Sequence, residues 1–336
     1  MENFVNQAPF VLVVLLLVVG FVLLIKGADF FVDGSSNVAK RFHVPSLIIG
    51  LTIVAMGTSL PETSVSVTAS IAGKNTLAIS NVVGSNIFNL MVVIGVCALL
   101  APVPVGKETI KGDIPFSWVC ALLLLGLGIL GIGDRSSRVL GHLDGIIFLV
   151  IFAFYIVTLV KRAVRAAKAG KEPPAEAEIE EAEQEAPVLS MPRSLLYIVV
   201  GMIAIIFGGD LTVDTASRIA IDLGMSETLV GLTIVSIGTS LPELVTSVVA
   251  ARKKEVGMAL GNAIGSNIYN ILMVLGIAAA ISPISILTEN LIDTVILLVF
   301  TFIVWIFAKT KRKIDKVEGA VMVLLYILYA VYICIR

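Results

Sequence analysis

The sequence predicts an all-α membrane protein with ten transmembrane helices, arranged as two inverted five-helix repeats with both termini outside. Three observations predict this fold class: the composition, the number of apolar segments and a duplication within the chain. The 336 residues are 57% hydrophobic and 15% charged, with a mean hydropathy of +1.01, whereas soluble domains carry about 25% charged residues. We therefore expect a multi-pass protein of the cell membrane, surrounded by the lipid bilayer.

The charge balance and the cysteines exclude several other classes. A net charge of −1 gives no basic field for a polyanion, so no nucleic-acid partner is expected. Cys97, Cys120 and Cys334 are odd in number and lack metal-ligand spacing, and we expect them to be small packing residues. The chain is also expected to need no cofactor and to be a monomer.

Ten segments are apolar enough to cross a bilayer, which takes about 20 residues of helix. The first has no basic residues before it and stays apolar from Val11 to Ile25, so we interpret it as a helix and not as a cleaved signal peptide. In chain order the predicted spans are 9–33, 45–72, 76–101, 114–133, 141–160, 194–217, 226–251, 256–282, 290–308 and 317–335.

Lysine and arginine residues beside the spans predict the orientation, because they concentrate in cytoplasmic loops. If the first span begins outside, the inner loops carry eighteen of these residues and the outer loops carry five. The five are Lys74, Arg135, Arg138, Arg218 and Arg336. Both termini are therefore expected to lie outside.

A charged segment divides the chain into two halves. Residues 166–192 contain seven glutamates between Glu172 and Glu185, with prolines on either side. This composition is typical of a solvated connector. We expect a first five-helix repeat over 1–165, a cytoplasmic acidic linker over 166–192 and a second repeat over 193–336.

The two halves are related by a shift of 181 residues. Residues 50–95 and 231–276 share 23 identities in 46 positions, without a gap. The identities include the run Gly-Thr-Ser-Leu-Pro-Glu, which begins at Gly57 and again at Gly238. Hydrophobic composition alone would not repeat Glu, Pro and three Asn, so the chain contains a duplication.

The number of helices in each half determines how the repeats are related. Five is odd, so the second half must enter the membrane from the opposite side to the first. Proteins built from such inverted repeats generally place their substrate site near the midplane, where interrupted helices of the two halves meet.

Both repeats carry a proline next to a glutamate inside an apolar span. Proline has no N–H and its ring presses on the carbonyl four residues before it. Pro61 should free the Gly57 carbonyl, and Pro242 that of Gly238. Glu62 and Glu243 are the deepest acids, and a buried carboxylate in a membrane is costly unless it is paired or hydrated. This pattern favours a functional site over a packing kink.

Oxygen-bearing side chains repeat around these glutamates at a spacing of four, which places them on single helix faces. Thiol and imidazole groups are missing from these faces, so the pattern predicts a site for a hard cation such as calcium, which takes six to eight oxygens. The two faces of the first half and their two counterparts hold Thr58, Glu62 and Ser66; Asn81, Ser85 and Asn89; Thr239, Glu243 and Ser247; and Asn262, Ser266 and Asn270.

Four further acids occupy equivalent positions in the two halves. Asp29 and Asp33 of the first span correspond to Asp210 and Asp214 of the sixth. Lys26 stands one turn from Asp29, close enough in the helix to pair with it. We expect these acids to have a structural role.

The two Gly-Thr-Ser-Leu-Pro-Glu runs are followed by Gly-Ser-Asn-Ile-Phe-Asn from Gly84 and Gly-Ser-Asn-Ile-Tyr-Asn from Gly265. In these motifs the chain resembles the cation/calcium exchanger superfamily, and within it the sodium/calcium exchangers of prokaryotic type. The resemblance covers the whole chain except the acidic linker. It implies a central cluster of ion sites, with calcium and sodium ions as transported substrates.

Carried over position by position, the resemblance implies a set of metal ligands. Glu62 and Glu243 would be the shared carboxylates, and Thr58, Thr239, Ala55 and Ser236 would act through backbone carbonyls. Hydroxyl and amide ligands would come from Ser59, Ser240, Ser85, Ser266, Asn89 and Asn270. Some relatives carry Asp at the position of Asn270, and the amide here favours potassium independence.

We therefore expect a secondary antiporter in which sodium influx drives calcium out by alternating access. A potassium-dependent or proton-coupled calcium/cation exchanger and a channel remain alternatives. An intramembrane enzyme is the rival from another class, because Phe207-Gly208-Gly209-Asp210 is similar to an aspartyl-protease motif. The first glycine of that motif is replaced by Phe207, and no Ser–His or zinc-ligand set lies at depth. The chain is therefore not expected to be an enzyme.

Overall fold

A computed structural model describes residues 2–73, 75–130, 138–169, 189–225, 230, 234 and 236–335. Within these ranges the chain is nearly all helical. The helices are α1 Glu2–Gln7, α2 Phe10–Phe42, α3 Ser46–Thr58, α4 Leu60–Ile71, α5 Thr76–Leu100, α6 Thr109–Leu130, α7 His142–Lys168, α8 Met191–Asp222, α9 Ser236–Gly238, α10 Leu241–Arg252, α11 Val256–Ile281, α12 Thr288–Lys311 and α13 Lys316–Ile335.

Eight of the helices in the described ranges are long and apolar enough to cross a membrane, and α3 with α4 forms a ninth, bent span. These nine elements coincide with nine of the ten predicted spans. The tenth, 226–251, includes residues outside the described part of the chain, although α9 and α10 belong to it. Lys74, Arg135, Arg336 and most of the predicted linker, 170–188, also lie outside it.

Two short antiparallel ladders connect the predicted halves. β1 (Val103–Pro104) pairs with β4 (Lys313–Ile314), and β2 (Val139–Leu140) pairs with β3 (Ile284–Ser285). Each ladder joins a loop of the first half to a loop of the second. The loop backbones at these points are therefore hydrogen-bonded.

The helix α13 begins at a reciprocal cap. Asp315 Oδ1 accepts hydrogen bonds from the backbone N–H groups of Val317 and Glu318, and Glu318 Oε2 accepts one from the Asp315 N–H. This is the arrangement of a capping box, with Asp as the capping residue. Lys311 Nζ lies 2.6 Å from Asp315 Oδ2, and this contact together with the backbone donors lowers the pKa of Asp315. The cap therefore stays ionised over a wide pH range.

Helices α2 and α8 pack antiparallel with their backbones in contact. A Cβ atom added at Gly27 would lie 2.9 Å from the Gly201 carbonyl oxygen, and one at Gly201 would lie 2.6 Å from the Phe31 nitrogen. Small residues permit this approach, which is how membrane helices gain packing contacts without a hydrophobic driving force. The two longest helices therefore form one closely packed pair.

The bent span packs with similar closeness on a helix of the second half. A Cβ at Gly50 in α3 would lie 2.4 Å from the Met258 carbonyl oxygen, and one at Gly261 in α11 would lie 2.4 Å from the Leu47 oxygen. About three quarters of the most apolar stretch is buried in α5 and in α11, compared with about a fifth in α2. Helices α5 and α11 are thus the centre of the protein.

A group of charged residues, here called the Lys253 cluster, joins α2 to the loop after α10. Lys253 Nζ lies 2.7 Å from Asp33 Oδ1 and 3.3 Å from Asp29 Oδ1. The predicted contact of Lys26 with Asp29 is present at 3.7 Å. Buried Glu255 accepts a hydrogen bond from Ser36 in α2. The acids of α2 thus have a partner in the loop after α10, which the sequence did not predict.

Candidate ion-binding site

The first half breaks its helix at Ser59, beside the predicted glutamate. Helix α3 ends at Thr58, α4 begins at Leu60, and their axes differ by 46°. Ser59 has non-helical dihedral angles, with φ −84° and ψ 9°. Pro61 lies in the first turn of α4, where its missing N–H costs least. The helix is therefore interrupted at Ser59, before the proline, and is not kinked at the proline as the sequence suggested.

The second half has the same local structure. Ser240 lies before α10 with φ −94° and ψ 5°, and Pro242 is in the first turn. Glu62 and Glu243 thus stand in the first turns of equivalent helices. A helix N-terminus carries a partial positive charge from its free N–H groups, and this charge favours the ionised carboxylates.

The serines at the two breaks donate hydrogen bonds across the halves. Ser59 Oγ lies 3.1 Å from Glu243 Oε1, and Ser240 Oγ lies 3.4 Å from Glu62 Oε1. Ser266 of α11 donates to Glu243 Oε1 at 3.5 Å. All five side chains are fully buried. Each carboxylate is therefore held through one oxygen by a hydroxyl of the opposite half.

The second oxygen of each carboxylate lacks a hydrogen-bond partner among the described residues. A buried acceptor without a hydrogen-bond partner destabilises the folded protein by roughly 1–3 kcal/mol, and by more if it is charged. In this part of the chain no salt bridge reaches either glutamate. The buried side-chain oxygens at predicted ligand positions that lack a partner there are Glu62 Oε2, Glu243 Oε2, Ser85 Oγ, Asn89 Oδ1 and Asn270 Oδ1.

The two predicted asparagine ligands stand at local irregularities of the central helices. A π-helical turn begins at Asn89 in α5, and another begins at Asn270 in α11. Such turns frequently mark functional sites in helices. A third covers Gly50–Val54 in α3, directly before Ala55. The sequence analysis does not predict these turns.

The two threonines at predicted ligand positions use their hydroxyls elsewhere. Thr58 Oγ1 donates to Asn262 Oδ1 at 3.0 Å, and Thr239 Oγ1 donates to Asn81 Oδ1 at 3.2 Å. Both contacts cross between the predicted halves. The backbone carbonyls of these threonines are then the groups left for an ion.

The remaining two predicted ligands are backbone positions. Ala55 is buried, and its carbonyl accepts a hydrogen bond from the Ser59 N–H at 3.1 Å. Ser236 begins α9, and its side chain lies outside what the structure describes. Ser66 and Ser247, one turn beyond the glutamates, are held by Asn81 and Asn262.

The predicted ligands of this site are all oxygen atoms, and none is a thiol or an imidazole. Within the described ranges there is no group of three or more His, Cys, Asp and Glu side chains that could hold a metal. Two carboxylates supplemented by neutral hydroxyls and amides suit calcium, which accepts oxygen ligands in flexible geometry. Soft transition metals would require thiolate or imidazole ligands.

A cavity of about 620 Å³ lies next to the candidate site. It lies between α8 and the two helix breaks, and Asp210 and Asp214 line its α8 wall. Thr239, Pro61 and Pro242 also line it, and they are next in sequence to Ser240, Glu62 and Glu243. The cavity therefore lies beside the helix breaks that carry the fully buried glutamates.

The sequence model of the sodium/calcium exchanger protein family matches residues 12–161 and again 193–335. The chain belongs to the sodium/calcium exchanger family. Its members transport ions and are not enzymes, and this exchanger is a multi-pass membrane antiporter with sodium and calcium as transported ions.

Relatives and solved structures resemble the exchanger over almost its full length. CaxA of Alkalimonas amylolytica is 38% identical over 317 residues, which are 93% of this chain and 95% of CaxA. Sodium/calcium exchanger MaX1 of Methanosarcina acetivorans is 31% identical, over 94% and 97% of the two chains. A structure of the sodium-calcium exchanger NCX_Mj, soaked without Na+ and Ca2+, matches with a TM-score of 0.80 at 32% identity. The match covers 95% of this exchanger and 97% of NCX_Mj.

Proposed function

We propose that this protein is a secondary antiporter that exchanges sodium for calcium by alternating access, with the ions bound between Glu62 and Glu243. The observation that carries the proposal is the pair of fully buried carboxylates, each with one oxygen lacking a protein partner among the described residues. Two such charges balance one calcium ion. Burial without a basic partner is costly in a membrane, and a bound cation removes that cost.

The proposed ligands are the twelve positions that the family resemblance implied. Glu62 and Glu243 supply charge, and the unpaired Ser85, Asn89 and Asn270 oxygens support a role as neutral ligands. The other proposed ligands are Ser59, Ser240 and Ser266 through hydroxyls, and Thr58, Thr239, Ala55 and Ser236 through backbone carbonyls. Sodium and calcium ions have similar radii, so one oxygen cage can hold either.

We also propose ten spans in two inverted repeats with both termini outside, as 1–165 and 193–336 joined by a cytoplasmic linker over 166–192. The double match to the family supports the division. So do the reciprocal contacts between equivalent residues, such as Ser59 to Glu243 and Ser240 to Glu62. Five spans in each half would place the two glutamates at the same depth from opposite directions.

Calcium flux in proteoliposomes tests the function. Proteoliposomes that contain the purified protein should take up calcium only when a sodium gradient drives sodium out of them. This uptake should persist in potassium-free buffer with a proton carrier present. Calcium movement without sodium would indicate a channel. Dependence on potassium, or loss of flux with the proton carrier, would favour the potassium-dependent or proton-coupled alternative.

Alternating access requires one side to be closed while the other is open. Gly20 lies against Gly208, and Gly34 against Ser194 and Ile198, so Asp214 is about sixteen residues along α8 from the level of Asp33. At 1.5 Å per residue Asp214, which lines the cavity, and Asp33, in the Lys253 cluster, are roughly 24 Å apart along the helix axis. We propose that the cavity marks the open side of the protein and that the Lys253 cluster lies on the closed side. The repeat counterpart of Lys253 is Ala72, which cannot make these ion pairs.

We expect Lys253→Ala to shift the exchanger toward the conformation that opens on the cluster side. Partly exposed ion pairs contribute about 0.2–1 kcal/mol each, so losing the two pairs of Lys253 should change a two-state ratio by about two- to thirtyfold. Single cysteines at Ser64, which lines the cavity, and at its repeat counterpart Val245 would report the change in a background without native cysteines. Maleimide labelling should become slower at position 64 and faster at position 245.

The adjacent Lys254→Ala variant is the control, because the described ion pairs do not include Lys254. It should leave both labelling rates unchanged. Equal rates in the Lys253→Ala variant and the parent would show that the Lys253 cluster does not hold the closed side.

A further inference from the structure

The asparagine of each Gly-Ser-Asn motif, Asn86 in α5 and Asn267 in α11, lies between these two central helices. Asn86 Nδ2 donates to the Asn267 carbonyl at 3.1 Å, and Asn267 Nδ2 donates to the Asn86 carbonyl at 3.0 Å. Both side chains are buried. The repeat predicted that these residues are equivalent, and we assigned them no role from the sequence.

Asn86 makes one additional contact that its counterpart does not make. Its Oδ1 accepts a hydrogen bond at 3.1 Å from Nδ2 of Asn270, a proposed ion ligand. Asn267 Oδ1 and both polar atoms of Asn89 lack a hydrogen-bond partner among the described residues. The equivalent contact, from Asn89 to Asn267, is therefore not formed. The two proposed asparagine ligands differ in how they are held.

The contact to Asn86 determines which end of the Asn270 amide is available. Because Nδ2 donates to Asn86, Oδ1 is the end without a partner among the described residues. A cation is attracted to an amide oxygen and repelled by an amide NH2 group. An Asn270 side chain without this contact could present either end, because the two ends have the same shape.

We propose that Asn86 is a positioning residue that holds Asn270 with its oxygen toward the transported ions. This inference rests on the proposed function. It assigns Asn270 as an oriented ligand, whereas no such contact holds the Asn89 amide among the described residues. Asn86 therefore contributes to sodium and calcium affinity without touching an ion.

The chemistry of residue 270 provides a test that separates positioning from packing. A carboxylate has two equivalent oxygens, so an aspartate at this position needs no partner to select one. Loss of Asn86 should therefore weaken ion binding when residue 270 is an amide and have little effect when it is a carboxylate. A purely structural contact between α5 and α11 would matter equally in both cases.

The experiment compares Asn86→Leu in the native chain and in an Asn270→Asp background, with exchange measured in proteoliposomes against sodium concentration. In the native chain the half-saturating sodium concentration should rise by about three- to tenfold, the range expected for losing one hydrogen bond between membrane helices. In the Asn270→Asp background it should change less than about twofold. Maximal rates should change less than the half-saturating concentration.

Asn267→Leu is the matched control, since it removes the reciprocal helix contact without touching Asn270. It should change sodium affinity less than about twofold in either background. If Asn86→Leu does not fold, Asn86→Ser also removes the contact to Asn270 and replaces it in the comparison. Three results would overturn this inference and leave the proposed function standing. They are an equal loss of sodium affinity in both backgrounds, no loss in the native chain, and a loss from Asn267→Leu as large as that from Asn86→Leu. Absence of sodium-driven exchange in the unmodified protein would overturn the proposed function first.

Discussion

Glu62→Gln and Glu243→Gln should each abolish calcium transport, with a loss of at least about a hundredfold, while the protein still folds. Either change halves the charge that balances calcium and leaves a net positive charge in a buried, desolvated site. Breaking a buried ion pair by removing one partner costs about 3–5 kcal/mol, which exceeds the 2.7 kcal/mol of a hundredfold change. The measurement is sodium-driven calcium uptake by each purified variant, together with equilibrium calcium binding.

The control for this prediction is Glu318→Gln, the same chemical change at the cap of α13, far from the centre in sequence. Its transport should match that of the parent. Glu62→Asp keeps the charge and withdraws the oxygens by one methylene, so it should retain measurable binding with weaker affinity. Uptake close to that of the parent in either glutamine variant would disprove the assignment of the glutamates as ion ligands.

Much of the site could be predicted from sequence because the duplication repeats its polar residues. Glu62 and Glu243 are the deepest acids, and a proline precedes each. Deep acids without a basic partner are rare in membrane helices unless they have a function. The structure buries both residues fully and places each in the first turn of a helix, which agrees with that reasoning.

The contacts that cross between the halves could not be predicted in this way. Periodicity places residues on a face, but it does not determine which face meets which. Ser59 therefore could not be assigned to Glu243 on the opposite half. The break at Ser59 was expected as a kink at Pro61, because proline is the visible signal and the dihedral angles of the preceding serine are not.

The sequence also does not reveal how the contacts of equivalent residues differ between the two repeats. Lys253 and its counterpart Ala72 were visible as unlike residues, but only the fold brings Lys253 to Asp29 and Asp33. Asn86 and Asn267 are identical in type, yet only Asn86 contacts a proposed ligand. Equivalent positions can therefore have different roles when the two halves adopt different conformations around one site.

Exchange should be electrogenic and independent of potassium, because of the charges that the site contains. With Glu62 and Glu243 ionised and Asn270 neutral, one calcium ion or two sodium ions neutralise the site. The unpaired oxygens of Ser85, Asn89 and Asn270 are additional ligands that two sodium ions do not use. A third sodium ion would occupy them, and the exchange cycle would then carry one net positive charge inward.

A membrane potential that is negative inside should therefore accelerate calcium extrusion. Moving one charge through 100 mV is worth about 2.3 kcal/mol, so the equilibrium calcium ratio should change by about fiftyfold. Calcium efflux would be measured in potassium-free proteoliposomes at a fixed sodium gradient, with the potential set by a proton carrier and a pH difference, and then by a lithium carrier. Agreement between the two carriers separates voltage from pH. A rate that does not change with voltage would contradict the third sodium ion. Flux that requires added potassium would favour the potassium-coupled alternative.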